Sequence, residues 1–142
     1  MEIWRQAAID DLKRFRYLEN SIDSMQEQIE IINSQLSGSG YCMSTTPVSG
    51  GASKLEDKYN NAIVLKDKLK HQIIDNNKEY DLIKRTLDKL TYEERKILEY
   101  AYIDRSSKYI DRICEVFNIE RTQAYRNINS ALNHYVMVRY GV

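Results

Sequence analysis

From Trp4 to Leu36 the apolar residues recur at heptad spacing. Ala8, Phe15, Ile22, Ile29 and Leu36 hold one seam position, and Trp4, Leu18, Met25 and Ile32 the other. Asp11 is the single break, with Leu12 beside it. A seam this narrow predicts a long helix packed along a partner helix rather than one sunk in a broad core. A second ladder runs from Leu55 to Leu90, with Tyr59, Lys66, Ile73, Tyr80 and Leu87 at one position and Ala62, Leu69, Asn76, Ile83 and Leu90 at the other. Ser53 is the expected N-cap of this helix. Lys66 and Asn76 put polar groups on the seam, where such residues either fix register or mark a frayed edge. Between the ladders, residues 38–52 hold four glycines and the only proline, and the periodicity is lost. A loop of that size is long beside the usual helix-to-helix connection of about 2–8 residues, and it reads as a connector or a contact segment. The pattern therefore predicts an antiparallel, coiled-coil-like hairpin over residues 1–90. Ile63, Leu65, Ile74 and Leu82 fall off the seam and ask for more apolar surface than one hairpin supplies. Self-association into a dimer or higher homo-oligomer is the expected outlet.

At Thr91 the heptads give way to three shorter helical units, so residues 91–142 are expected to form a small separate domain. Thr91-Tyr92-Glu93-Glu94 has the form of a capping box. The helix it opens presents Ile97, Leu98, Ala101 and Tyr102 and ends near Ile103-Asp104-Arg105. Ser106 or Ser107 is the expected cap of the next helix, which presents Ile110, Ile113, Cys114 and Phe117. It stops at Asn118, a residue that tolerates the left-handed conformation of a tight turn, and Ile119 follows as a buried plug. A third helix beginning near Glu120 turns Ala124, Ile128, Ala131, Leu132 and Tyr135 inward.

The composition agrees with an all-α chain: 42% apolar, 30% charged, one proline and five glycines. Basic and acidic side chains balance at 21 each, so no overall field draws the chain to nucleic acid or anionic lipid. Residues 91–142 carry eight basic and seven acidic side chains, which leaves any recognition of nucleic acid to local geometry. Cys42 and Cys114 stand far apart, and neither they nor His71 and His134 fall at metal-ligand spacing, so no metal, cofactor or disulfide framework is expected. No nucleophile with base and orienting group, and no phosphate-cradling glycine loop, can be assembled, which argues against an enzyme. No signal-like start and no apolar run of about 18 residues is present, so the expected location is the cytoplasm, without membrane attachment.

Ile110 to Phe117, the turn at Asn118-Ile119, then Ala124 and Ile128 have the spacing of a helix-turn-helix, because a small residue at Ala124 lets the third helix lie across the second. Arg121, Thr122, Gln123, Tyr125, Arg126, Asn129 and Asn133 then point away from the core. Arginine pairs with guanine edges, glutamine or asparagine with adenine, and threonine or tyrosine with phosphate, so these side chains suit double-stranded DNA. Arg121 and Gln123 are the expected base readers, while Asn129, Asn133, Lys108 and Arg112 are expected at phosphates.

The stretch Leu90-Thr91-Tyr92-Glu93-Glu94-Arg95-Lys96-Ile97-Leu98 resembles the opening of region 4 of sigma-70 factors, and Tyr109 to Leu132 follows its helix-turn-helix without a gap. Glu120 stands where serine or threonine is common, Asn118 where glycine is common and Asn127 where an apolar residue is usual. With the two long helices and the loop containing Ser44-Thr45-Thr46-Pro47-Val48-Ser49-Gly50-Gly51, the layout is similar to phage late-gene transcription activators of the RinA and ArpU kind. The resemblance implies a regulator that binds a promoter in a bacterial host cell. Two other uses carry the same features: a small terminase subunit for DNA packaging, and an interaction protein whose helix-turn-helix face contacts RNA polymerase.

Overall fold

The computed structural model describes residues 2–37 and 51–142, apart from the side chains of residues 51–53. It is all-α, with no strand among the described residues. Helix α1 spans Glu2–Ser37, α2 Gly51–Asp88, α3 Tyr92–Leu98, α4 Tyr109–Phe117 and α5 Arg121–Tyr140, and a π-helical turn at Glu99–Ile103 follows α3 directly. Because α2 begins at Gly51, Ser53 lies inside its first turn and is not its N-cap; Ala52, the strongest helix former, carries the helix past the expected start. The rest of the expected loop, including Cys42, lies outside the described residues. No helix among the described residues is long and apolar enough to cross a membrane.

The chain divides into two compact units. The larger comprises Met1–Glu19 and Lys78–Val142, so the expected domain boundary after residue 90 falls inside it. Its core is made by the length of α5, where Ala124, Ile128, Ala131, Leu132, Tyr135 and Val136 are all buried. Packed on that face are Ile97, Leu98 and Ala101 from α3 and its π turn, Ile110 and Ile113 from α4, and Ala8, Leu12, Phe15 and Leu18 from α1. Ile83, Leu87 and Leu90 complete it. Phe15 stacks on Tyr80 with ring centroids 5.0 Å apart, and Arg14 pairs with Glu79, so in this unit the N-terminal half of α1 lies along the C-terminal half of α2. The two segments run antiparallel.

Asp11, the break in the heptads, has a structural use. Its Oδ2 accepts from the Tyr140 hydroxyl at 2.7 Å and from the Tyr135 hydroxyl at 3.4 Å, and Arg139 Nε stands at 3.4 Å. Burial, reinforced by the Asp11 charge, pushes both tyrosine hydroxyls far above their ordinary value, so they stay protonated and donate. Leu12 takes the seam place that Asp11 vacates and is completely buried. One turn further on, Arg16 grips Asp104 with two parallel bonds of 3.1 Å and donates to Glu19 at 2.8 Å.

The capping box forms as the sequence predicts. Glu94 N–H donates to Thr91 Oγ1 and Thr91 N–H to Glu94 Oε1, each at 3.2 Å. The other Glu94 oxygen lies 2.7 Å from His134 Nδ1 on α5, so one carboxylate caps the start of α3 and ties it to α5. Neither Ser106 nor Ser107 caps α4. Lys108 occupies that position with no side-chain bond, and Tyr109 N–H turns back to the Ser106 carbonyl at 3.3 Å. The π turn shifts the exit of the preceding helix, and with it the place where α4 starts.

The smaller unit, Asn20–Asn77, consists of the remaining parts of α1 and α2. Ile22, Met25 and Ile32 are buried between them, while Lys66, Leu69, Ile73 and Asn76 on α2 are half-buried. Asn76 Nδ2 donates to Ser21 Oγ at 2.9 Å and its Oδ1 accepts from Gln72 at the same distance. The polar seam position at Asn76 is thus bonded rather than frayed, and it fixes the register of this pair. Ile31, Val64, Leu65 and Ile74 remain at the surface.

Two measurements check this core. Leu12→Ala removes a fully buried side chain supplied by α1, and we expect a loss of about 2–5 kcal/mol in chemical denaturation, with faster amide exchange along α5; unchanged α5 protection would detach α1 from the C-terminal core. For Glu94, burial raises the carboxyl pKa, but bonds from His134 and Thr91 outweigh it and leave the group below its ordinary 4.5. A depressed carboxylate stabilises the fold above its unfolded value, and that contribution is lost as pH falls through the folded one. Thermal midpoints followed from neutral pH to about pH 3 should therefore show a flatter acid limb for Glu94→Gln than for the wild type.

Candidate nucleic-acid interface

The connection between α4 and α5 is three residues long. Asn118 adopts the left-handed conformation at φ 52° and ψ 53°, the one non-glycine residue to do so among those described. Its N–H and that of Ile119 both reach the Cys114 carbonyl, the latter at 3.1 Å. Glu120 is extended and starts α5, with Ala124 N–H donating to its carbonyl at 2.9 Å. Ile119 is half-buried rather than the fully buried plug expected, because it caps the rim of the core. Ala124 is completely buried where α5 meets α4; a larger side chain would hold the two helices apart.

With this placement Lys108, Arg112, Arg121, Thr122, Gln123, Tyr125, Arg126 and Asn129 are exposed and Asn133 is half-buried. They do not form one surface. At about 100° per residue, Thr122, Arg126, Asn129 and Asn133 share a single stripe of α5. Arg121 instead leans toward α4, where its Nη1 lies 3.5 Å from Asp111 Oδ1. A hydrogen bond with Tyr125 and the Asp111 charge raise its pKa further, so it is held as a cation that already has an acid beside it. Gln123 falls on the far side of the stripe and donates to Asn127 Oδ1 at 2.7 Å. Arg112 lies over the Tyr100 ring at 5.4 Å, and Arg105 over Tyr109 at 4.2 Å.

The C-terminal end of the stripe holds a residue that the sequence does not announce. Arg5 on α1 donates from Nη2 to Asn129 Oδ1 at 2.9 Å and from Nη1 to Asn133 Oδ1. The two asparagines expected at phosphates therefore turn their oxygens to a guanidinium from 124 and 128 residues away. No local pattern could signal it, since Arg5 is simply an off-seam position of the first heptad. Tyr102 lies close by: burial raises its pKa, against the pull of the Arg5 and Arg105 charges. Cys114 is a half-buried free thiol packed at the edge of the core.

No curated protein and no solved structure matches the chain at a significant level. The sequence pattern of one family, described as protein of unknown function (DUF1492), matches residues 36–135, which takes in α2, α3, α4 and most of α5. That match spans well over half of the molecule, and the chain belongs to the DUF1492 family.

Proposed function

We propose that this protein is a sequence-specific DNA-binding transcriptional regulator, in the manner of phage late-gene activators, acting in the cytoplasm of a bacterial host cell. The observation that carries the reading is the α4–α5 junction: a left-handed Asn118, a three-residue turn and a completely buried Ala124 leave the outward stripe of α5 free to enter a major groove. Thr122 and Arg126 stand near the N-terminal end of α5, the part of a recognition helix that reads base edges. Lys108, Arg112 and Tyr125 flank it at phosphate positions. Arg121 must exchange Asp111 for a nucleic-acid oxygen, whereas Arg126 has no acid at ion-pair distance among the described residues. Arg126 therefore takes the leading role that the sequence assigned to Arg121 and Gln123.

A second copy of the chain is the proposed partner of the smaller unit. Two helices bury only a seam, and Leu65 and Ile74 remain about half exposed, at 47% and 52%. An oligomer would cover them and set two or more α5 helices at a fixed spacing, as paired half-sites require. The sigma-like resemblance adds RNA polymerase as a proposed further contact.

Binding isotherms against the region upstream of neighbouring genes test the DNA reading. Arg126→Ala should cost about 1–3 kcal/mol, and Arg121→Ala and Gln123→Ala less; unchanged affinity in all three folded variants would sink it. For association, Leu65→Glu with Ile74→Glu should lower the mass measured by light scattering while helicity is kept, because both positions lie outside the hairpin's own seam. A wild-type chain already monomeric at micromolar concentration would refute the oligomer.

A further inference from the structure

The Arg5 contact between α1 and α5 differs in kind from the arginine ion pairs of the larger unit. Arg14, Arg16, Arg95, Arg121 and Arg139 each face at least one carboxylate. Arg5 faces two neutral amides: Asn129 and Asn133 accept from its two terminal nitrogens, and among the described residues no carboxylate lies within ion-pair distance. A guanidinium carries five N–H donors in a fixed fork, so two accepted bonds orient the group and leave donors over. Its full charge is left over as well, since an amide oxygen orients a cation without neutralising it. Asn129 and Asn133 lie one turn apart on the stripe that also holds Thr122 and Arg126, and the stripe from Thr122 to Asn133 is about 16 Å long. Arg126 on α5 and Arg5 from α1 thus flank Asn129 and Asn133 on this stripe.

We propose that Arg5 is a phosphate contact of the DNA-binding face, contributed by the N-terminal helix and held in position by Asn129 and Asn133. The inference rests on the DNA reading of α5 given above and extends it: the two asparagines act as positioning residues for Arg5. The bound phosphate belongs to the duplex backbone at the C-terminal end of α5, outside the groove that Thr122 and Arg126 enter. Such a contact is blind to sequence and adds to affinity for every duplex. It is also pre-organised, because the guanidinium loses little freedom when the phosphate arrives.

The test is fluorescence anisotropy of a labelled, mixed-sequence duplex of about 30 base pairs, three turns of helix, titrated with the full chain over a range of salt concentrations. Wild type is compared with Arg5→Gln, Arg5→Met, Arg5→Lys and Lys108→Ala, and each fold is checked by circular dichroism. Loss of one phosphate contact flattens the slope of log affinity against log salt by about 0.9. Both neutral variants should show that flattening and Arg5→Lys should restore the slope, since the lysine keeps the charge. A merely structural tie between α1 and α5 would lower the thermal midpoint and leave the slope alone. If Lys108→Ala flattens the slope and the neutral Arg5 variants do not, the DNA reading stands and this inference falls. If the wild type shows no salt-dependent binding, both fall.

Discussion

The larger unit depends on one constraint, which is that α5 is apolar along its whole inward face and must be covered from end to end. Ala124, Ile128, Leu132 and Tyr135 span three turns, and each is 5% exposed or less. The nine-residue α4 covers the first part, and the seven-residue α3 with its five-residue π turn the next, while the last turn of α5 holds its tyrosines against α1. Helix α1 supplies the remaining surface through Ala8, Leu12, Phe15 and Leu18. The C-terminal helices therefore share one core with the N-terminal part of α1. The tyrosines at the far end bring hydroxyls into an apolar setting, where an unbonded hydroxyl would cost about 1–3 kcal/mol. Asp11 meets that need, and the apparent flaw in the first heptad ladder becomes the polar anchor of α5.

Much of this was legible in the sequence, wherever the determining interactions are local. The heptad seams give the two long helices, because a period near 3.5 requires only a partner line of apolar residues. Thr91 and Glu94 are three residues apart and cap each other as their spacing dictates. Asn118 is left-handed because a short turn needs a positive φ and the asparagine side chain tolerates one. The inward set Ala124, Ile128, Ala131, Leu132 and Tyr135 is buried as predicted. What was not legible depends on residues far apart in the chain. The use of Asp11 needs Tyr140, 129 positions on, and the place of Arg5 needs Asn133. The serines at 106 and 107 offered a good local cap, yet the packing of the π turn fixed where α4 begins. The split into units followed from the reach of α5, and a change of periodicity at Thr91 carries no information about that reach.

The same long-range contacts change how the charges of the outward face count. Residues 91–142 are close to neutral, and a count of side chains alone predicts weak attraction to phosphate. Position alters that count. Arg121 has Asp111 beside it, and Arg16 and Arg139 are engaged with acids inside the unit, so these cations contribute little field outside. Arg5 is held by two neutral asparagines, and Arg126 is exposed on the same stripe. On the reading proposed here, a few fixed, uncompensated cations provide the attraction, and the neutral remainder keeps non-specific binding low. A single copy would then hold DNA weakly at physiological salt. Two copies joined through the hairpin would not, since the second contact forms at the effective concentration set by the first. On the proposed reading, the exposed aliphatic residues of the smaller unit and the sparse cations of α5 would serve one end: recognition so economical in charge would gain its affinity from being doubled.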